Sequence, residues 1–98
     1  MNTAIDSDDG NPVLRALAKR GLSAWKARIC RIVERGINTG EIARETEPRR
    51  IANIIIATLE GALMISRLEG KKTVLQDART ALDLLIEGIR VPAAKAIE

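Results

Sequence analysis

Residues 48–68 constrain the fold of this chain most, because they are apolar around most of the circumference of a helix. At about 100° per residue, four polar side chains of this segment fall into one narrow stripe, and a largely apolar arc of about 280° remains. The stripe consists of Arg49, Asn53, Glu60 and Arg67. Such a helix must be covered on two sides, and a three-helix chain covers one side at best. The pattern therefore predicts an all-α domain that a second copy of the chain completes.

Proline and glycine mark the ends of three predicted helices. Asn11 followed by Pro12 is a favourable helix start, and the first helix is predicted over residues 12–38. Pro48 opens the second, over residues 48–68, and the third is predicted over residues 74–88, before Pro92. We expect residues 1–11 to be a flexible leader, residues 12–90 to be the helical domain and residues 91–98 to be a tail.

The first predicted helix carries two apolar stripes that do not align. Val13, Leu14 and Leu17 point about 100° away from the later apolar residues of the helix. This offset predicts a kink or a break near Gly21. Gly40 ends the helix, and Ile42 is expected to fold back onto the last turn.

The third predicted helix is apolar on one side only. Its apolar residues recur at spacings of three and four, and they are Leu75, Ala78, Leu82, Leu85 and Ile89. Thr73 with Gln76 predicts a capping box at the start of this helix. The three main helices are expected to be antiparallel.

The composition excludes several kinds of active site. The 98 residues contain no His and one Cys, which removes His-based nucleophile pairs, multi-Cys zinc sites and an intrachain disulfide. We therefore predict no enzyme activity, no metal and no cofactor, in a reducing cytoplasmic setting. The first ten residues do not resemble a signal peptide, and the longest unbroken aliphatic run, residues 54–57, is too short to span a membrane.

Some residues allow two interpretations each. Arg20, Arg28, Arg31 and Arg35 form a basic ridge on the first helix, which is either a solvated face or a weak nucleic-acid surface. Cys30 is read as a small core or boundary residue rather than a redox sensor, and Glu60 as part of a solvated stripe rather than a ligand contact. Trp25, the one aromatic residue, either fills the core or lines a ligand pocket.

One combination of residues is more specific than any of these patterns. It joins Trp25, Gly36, Gly40-Glu41-Ile42, Glu47-Pro48 and Leu59-Glu60-Gly61-Ala62-Leu63. In this order and spacing, the string resembles the C-terminal domain of tetracycline-repressor-like (TetR family) transcriptional regulators over about residues 12–90. The family's N-terminal helix-turn-helix, with its Tyr- and Phe-containing recognition segment, has no counterpart among these residues, so the chain is expected to be a fragment.

The resemblance implies a dimerisation and effector-binding domain that contacts DNA only through the missing N-terminal part. Dimerisation is expected through a four-helix bundle formed by the second and third helices. The expected interface residues are Ile55, Leu59, Ala62, Leu63, Ser66, Leu75, Ala78, Leu82, Leu85 and Ile89. A small apolar ligand is expected to contact Trp25, Ile29 and Met64. The alternative from another class is a free-standing helical adaptor that binds a different protein.

Overall fold

The computed structural model describes residues 11–92, which form three α-helices. We number them α1 (Pro12–Asn38), α2 (Pro48–Glu69) and α3 (Thr73–Ile89). The all-α prediction is confirmed, and the predicted helix ends agree with the observed ones to within one residue. The predicted leader and tail lie outside the described residues, apart from Asn11, Val91 and Pro92.

Local sequence signals account for most of these ends. The Asn11 side chain accepts a hydrogen bond from the backbone N–H of Leu14 at 3.0 Å, as a helix N-cap does. The capping box predicted at Thr73 is wrong, because no side chain caps α3. Instead the Lys72 carbonyl accepts bonds from the N–H groups of Leu75 and Gln76, so the helix begins one residue earlier than a Thr73 cap would allow.

Of the kink or break predicted near Gly21, the break is wrong, since α1 continues unbroken through this residue, and the kink stays a prediction. A shift between two apolar stripes requires a break only if both stripes must reach the same core. Here every residue from position 12 to position 22 is exposed, so the first stripe has no neighbour in the described chain to align with. The cost of a glycine inside a helix, about 1 kcal/mol, does not by itself end one.

The C-terminal end of α1 closes as the sequence predicts. Gly40 adopts the left-handed conformation, with φ of 84°, that glycine tolerates best. The N–H groups of Glu41 and Ile42 both donate to the carbonyl of Gly36, at 2.9 and 3.0 Å, and Gly40 donates to Ile37. These bonds form a Schellman motif, which brings Ile42 back onto the last turn of α1.

The three helices form a single layer with α2 in the middle. α2 packs against both α1 and α3, whereas α1 and α3 do not pack against each other within residues 11–92. The molecule measures 56 × 30 × 14 Å, and its thickness is little more than one helix diameter of about 10–12 Å. The core is correspondingly small, and its buried members are Val33, Ile51, Ala52, Ile56, Ala62 and Ala78.

One backbone pairing joins the two ends of the layer. Ile42, in the α1–α2 connection, forms an isolated antiparallel bridge with Arg90, which follows α3. The N–H of Ala43 donates to the carbonyl of Ile89 at 2.9 Å, and the N–H of Val91 donates to the carbonyl of Glu41 at 2.8 Å. The chain after α3 is thereby tied to the corner between α1 and α2.

Candidate functional site

The side of α2 that faces away from the core carries an apolar row. Helical spacing places its members within about 100° of one another, in a sector that contains none of the buried residues of the same helix. We call them the open α2 row: Ile54, Ala57, Gly61, Met64, Ile65 and Leu68. Met64 is 56% exposed and Leu68 is 79% exposed. An uncovered row of this length on a small protein is typical of a surface that binds another molecule or segment.

Gly61 lies in the middle of the open α2 row, and no contact within the described chain requires glycine at this position. A Cβ atom built at this position would meet nothing within 4 Å. Glycine inside a helix costs about 1 kcal/mol relative to alanine, so the packing of this chain does not explain its presence. Its effect is a flat place on α2 at which another group can approach the backbone closely.

A second row runs along the contact between α2 and α3. Of the residues predicted for a dimer interface, Ala62 and Ala78 are buried within one chain and Leu63 is 42% exposed. The others are half-buried: Ile55, Leu59, Ser66, Leu75, Leu82, Leu85 and Ile89. We call these ten residues the α2–α3 row. Its large side chains keep uncovered area after the chain has folded, as expected of a bundle that lacks half of its helices. Their role in an interface stays a prediction.

The residues predicted to contact a ligand are accessible. Trp25 is 39% exposed, Met64 belongs to the open α2 row, and Ile29 is half-buried. At a rise of 1.5 Å per residue, Trp25 lies about 20 Å from the end of α1. With 39% of its surface exposed, Trp25 is not enclosed by the described residues.

Two cavities lie elsewhere in the described part of the chain. Both are next to the segment after α3 and are lined by Arg90, Val91 and Pro92. The larger measures about 390 Å³ and extends to Ala43, Arg44, Glu45 and Gly88. Trp25, Ile29 and Met64 line neither of them. The predicted ligand contact therefore coincides with neither of these cavities and stays a prediction.

Charged groups stay at the surface. All four arginines of the basic ridge on α1 are exposed, as is Glu60. The ion pairs Arg90–Glu87, at 2.9 Å, and Arg49–Glu47, at 3.7 Å, are both solvent-exposed and contribute little to stability. Cys30 is half-buried and has a free thiol. Within residues 11–92, no cluster of three or more His, Cys, Asp and Glu side chains is placed to hold a metal ion.

By length and composition alone, α2 is apolar enough to cross a membrane. Its most apolar window of 18 residues has a mean hydropathy of 1.5, and 22% of that window is buried. The average over a window tolerates isolated charged residues, whereas the length of an unbroken aliphatic run does not. The helix therefore passes the window criterion although its longest aliphatic run, residues 54–57, is short. The core helix of a soluble protein can pass the same test, so one such helix is weak evidence for a membrane span.

Comparison with known proteins points to one family. The family model described as "Tetracyclin repressor-like, C-terminal domain" matches residues 1–82. A TetR transcriptional regulator from Chloroflexus aurantiacus J-10-FL shares 41% sequence identity, with a TM-score of 0.84. A TetR-family regulator from Cytophaga hutchinsonii shares 33% identity, with a TM-score of 0.83. Each alignment covers 93% of this chain but 46% of the solved one, so the chain spans about half the length of these structures. No curated protein sequence matches.

Proposed function

Because the chain belongs to the tetracycline-repressor-like family, where it corresponds to the C-terminal domain, we propose that it is the dimerisation and effector-binding part of a cytoplasmic transcriptional regulator. The observation that carries this proposal is the single helix layer, which leaves apolar rows of α2 uncovered. A layer of this kind is an incomplete core. The family assignment and the absence of His both argue against catalysis, and we assign the chain no enzymatic role.

We propose that a second copy covers the α2–α3 row. The half-buried leucines of α3, Leu75, Leu82 and Leu85, recur along one side of the helix, and α3 packs against α2. A symmetric partner would place the same row against them and complete a four-helix bundle. DNA contact is assigned to a part of the regulator outside these 98 residues.

Sedimentation of the 98-residue protein at micromolar concentration tests the dimer. We expect a species of twice the chain mass of 10.7 kDa. Leu82→Asp should dissociate and largely unfold it, since the substitution places an unpaired charge in the middle of the α2–α3 row. Leu84→Asp, two residues away at a position that is 69% exposed, is the matched control and should leave the dimer intact. A wild-type monomer would contradict the proposal.

We further propose that Trp25, Ile29 and Met64 form one wall of a site for a small apolar ligand. Accessible apolar groups on two adjacent helices support this, and the approach to α2 at Gly61 is unobstructed. A ligand that prefers one arrangement of the helices would shift the population of the dimer toward it.

Fluorescence tests the ligand wall directly, because Trp25 is the sole aromatic residue. Apolar compounds that bind should change its emission and raise the melting temperature. Met64→Glu should abolish both effects with little change in the stability of the free protein, while Leu84→Glu should preserve them. If a broad set of apolar compounds changes neither the Trp25 emission nor the melting temperature, the ligand proposal is wrong and dimerisation is the remaining proposed role.

A further inference from the structure

The corner between α1 and α2 links α1 to the end of α3, and these two helices do not pack against each other within residues 11–92. Within the described residues, α1 and α3 are linked only through α2 and through the bridge between Ile42 and Arg90. Any mechanical connection between α1 and the end of α3 therefore passes through this corner or through the body of α2.

Two contacts hold the corner together. On one side, Ile42 lies directly on Gly36, so that a Cβ atom at Gly36 would come within 2.8 Å of Ile42 Cγ1. On the other side, the hydrogen bonds from Ala43 to Ile89 and from Val91 to Glu41 tie the same segment to the end of α3. We call these residues together the corner latch. The close approach requires glycine at position 36, since the Ile42 side chain occupies the space of a methyl group there.

The buried and half-buried residues of α1 lie towards its C-terminal end. Val33 is buried, and Gly36 and Ile37 are half-buried beside the corner latch. In contrast, all residues from 12 to 25 are exposed. The free energy that fixes the direction of α1 is thus concentrated in its last three turns and in the corner latch.

We propose that the corner latch is a conformational switch that sets the angle of α1 against the α2–α3 pair and opens as a local unit. In the closed state, displacement of α1 moves the end of α3 with it. In the open state, α1 turns independently while α2 and α3 stay packed, because their contact does not involve Ile42. Local opening costs less than global unfolding when few buried contacts are lost, and here the buried contacts of the corner are few. The inference extends beyond the proposed function and does not depend on a ligand.

Amide hydrogen exchange of the full 98-residue protein tests the switch. Gly36→Ala should raise the exchange rates of the Ala43 and Val91 amides by a factor at least about tenfold larger than the rise at the α3 amides from Leu75 to Leu85. Gly21→Ala adds the same methyl group to the same helix, where nothing lies within 4 Å, and should leave the Ala43 and Val91 amides unchanged. Unchanged Ala43 and Val91 amides in Gly36→Ala, or an equal rise throughout α3, would overturn the proposal.

A second variant covers the case in which Gly36→Ala does not fold. Ile42→Ala removes the contacting side chain without introducing a clash, and it should produce the same localised increase in exchange. The double variant with alanine at both positions places the new methyl group in the vacated space. It should exchange more slowly at Val91 than the product of the two single effects predicts. Strict additivity would show that the two residues do not act as one contact and would also overturn the proposal.

Discussion

The two halves of α1 belong to one continuous helix and differ in almost every other respect. The C-terminal half packs its apolar face against α2 and ends in the Schellman motif at Gly40. The N-terminal half carries Val13, Leu14 and Leu17 on its surface, each more than half exposed. A rotation of the apolar stripe by about 100° separates the two. Helical propensity is therefore enough to extend α1, whereas the buried residue of this helix, Val33, lies in the second half.

The largest difference between the two halves of α1 should be the loss of stability when an apolar residue is replaced by a charged one. Val33→Asp replaces a side chain that is 5% exposed and should destabilise the protein by about 3–5 kcal/mol. Leu17→Asp makes the same kind of change in the other half, at a position that is 55% exposed, and should cost less than about 0.5 kcal/mol. Urea denaturation of the two variants measures the difference. Equal losses would show that the N-terminal half is also packed.

The next largest effect concerns the contact of Ile42 with α1. Gly36→Ala should destabilise the protein by about 1–3 kcal/mol, since the added methyl group overlaps a side chain that has to move. Thermal and urea unfolding followed by circular dichroism measure the loss. A wild-type midpoint in this variant would mean that Ile42 adjusts freely and that the close approach has no energetic weight.

Gly21→Ala should have a smaller effect of opposite sign. Its Cβ lies in open space and the backbone is helical, so alanine should stabilise α1 by about 0.4–1 kcal/mol, mainly by restricting the unfolded chain. The increase appears in the global unfolding midpoint only if the N-terminal half unfolds together with the core. A rise in helical content without a shift in the midpoint would show that this half unfolds separately and would sharpen the contrast.

Removal of the helix cap should have the smallest effect on global stability. Asn11→Ala deletes the bond to the Leu14 N–H, which is worth about 1 kcal/mol to the first turn of α1. Because the first turn is not packed on the core, the global free energy of unfolding should change by less than about 0.5 kcal/mol. Exchange of the amides in the first two turns should increase instead. A full loss of about 1 kcal/mol in global stability would indicate that the N-terminal half is coupled to the core.

The sequence predicts the helices well and the contacts between distant parts of the chain poorly. Pro12, Pro48, Gly40 and Gly70 act on their immediate neighbours, so the helix ends follow from local chemistry. The break at Gly21 fails as a prediction because it presumes that both halves of α1 are buried, which depends on what surrounds them. The spacing of apolar residues shows which side of a helix is apolar, but it does not show which element packs against that side.

The candidate site shows the same limit. Periodicity identifies the apolar arc of α2, whereas the ligand contacts at Trp25, Ile29 and Met64 stay a prediction. Which part of the arc stays uncovered depends on where α1 and α3 lie, so Ile54, Ile65 and Leu68 become candidates only in the structure. The bridge between Ile42 and Arg90 has no sequence signal, because backbone groups pair there without a side-chain pattern.

The α2–α3 connection and the corner latch also differ in when they are able to form. Gly70 ends α2, and α3 begins three residues later. The loop that must close before α2 and α3 can pack is therefore short, and short loops close rapidly. Ile42 and Arg90 are 48 positions apart along the chain, and closing a loop of that length costs more entropy before any bond compensates for it. The hairpin of α2 and α3 should therefore assemble first, and the bridge should close on a preformed pair. Protection of the Val91 amide during refolding would then mark the last step by which the chain reaches its native topology.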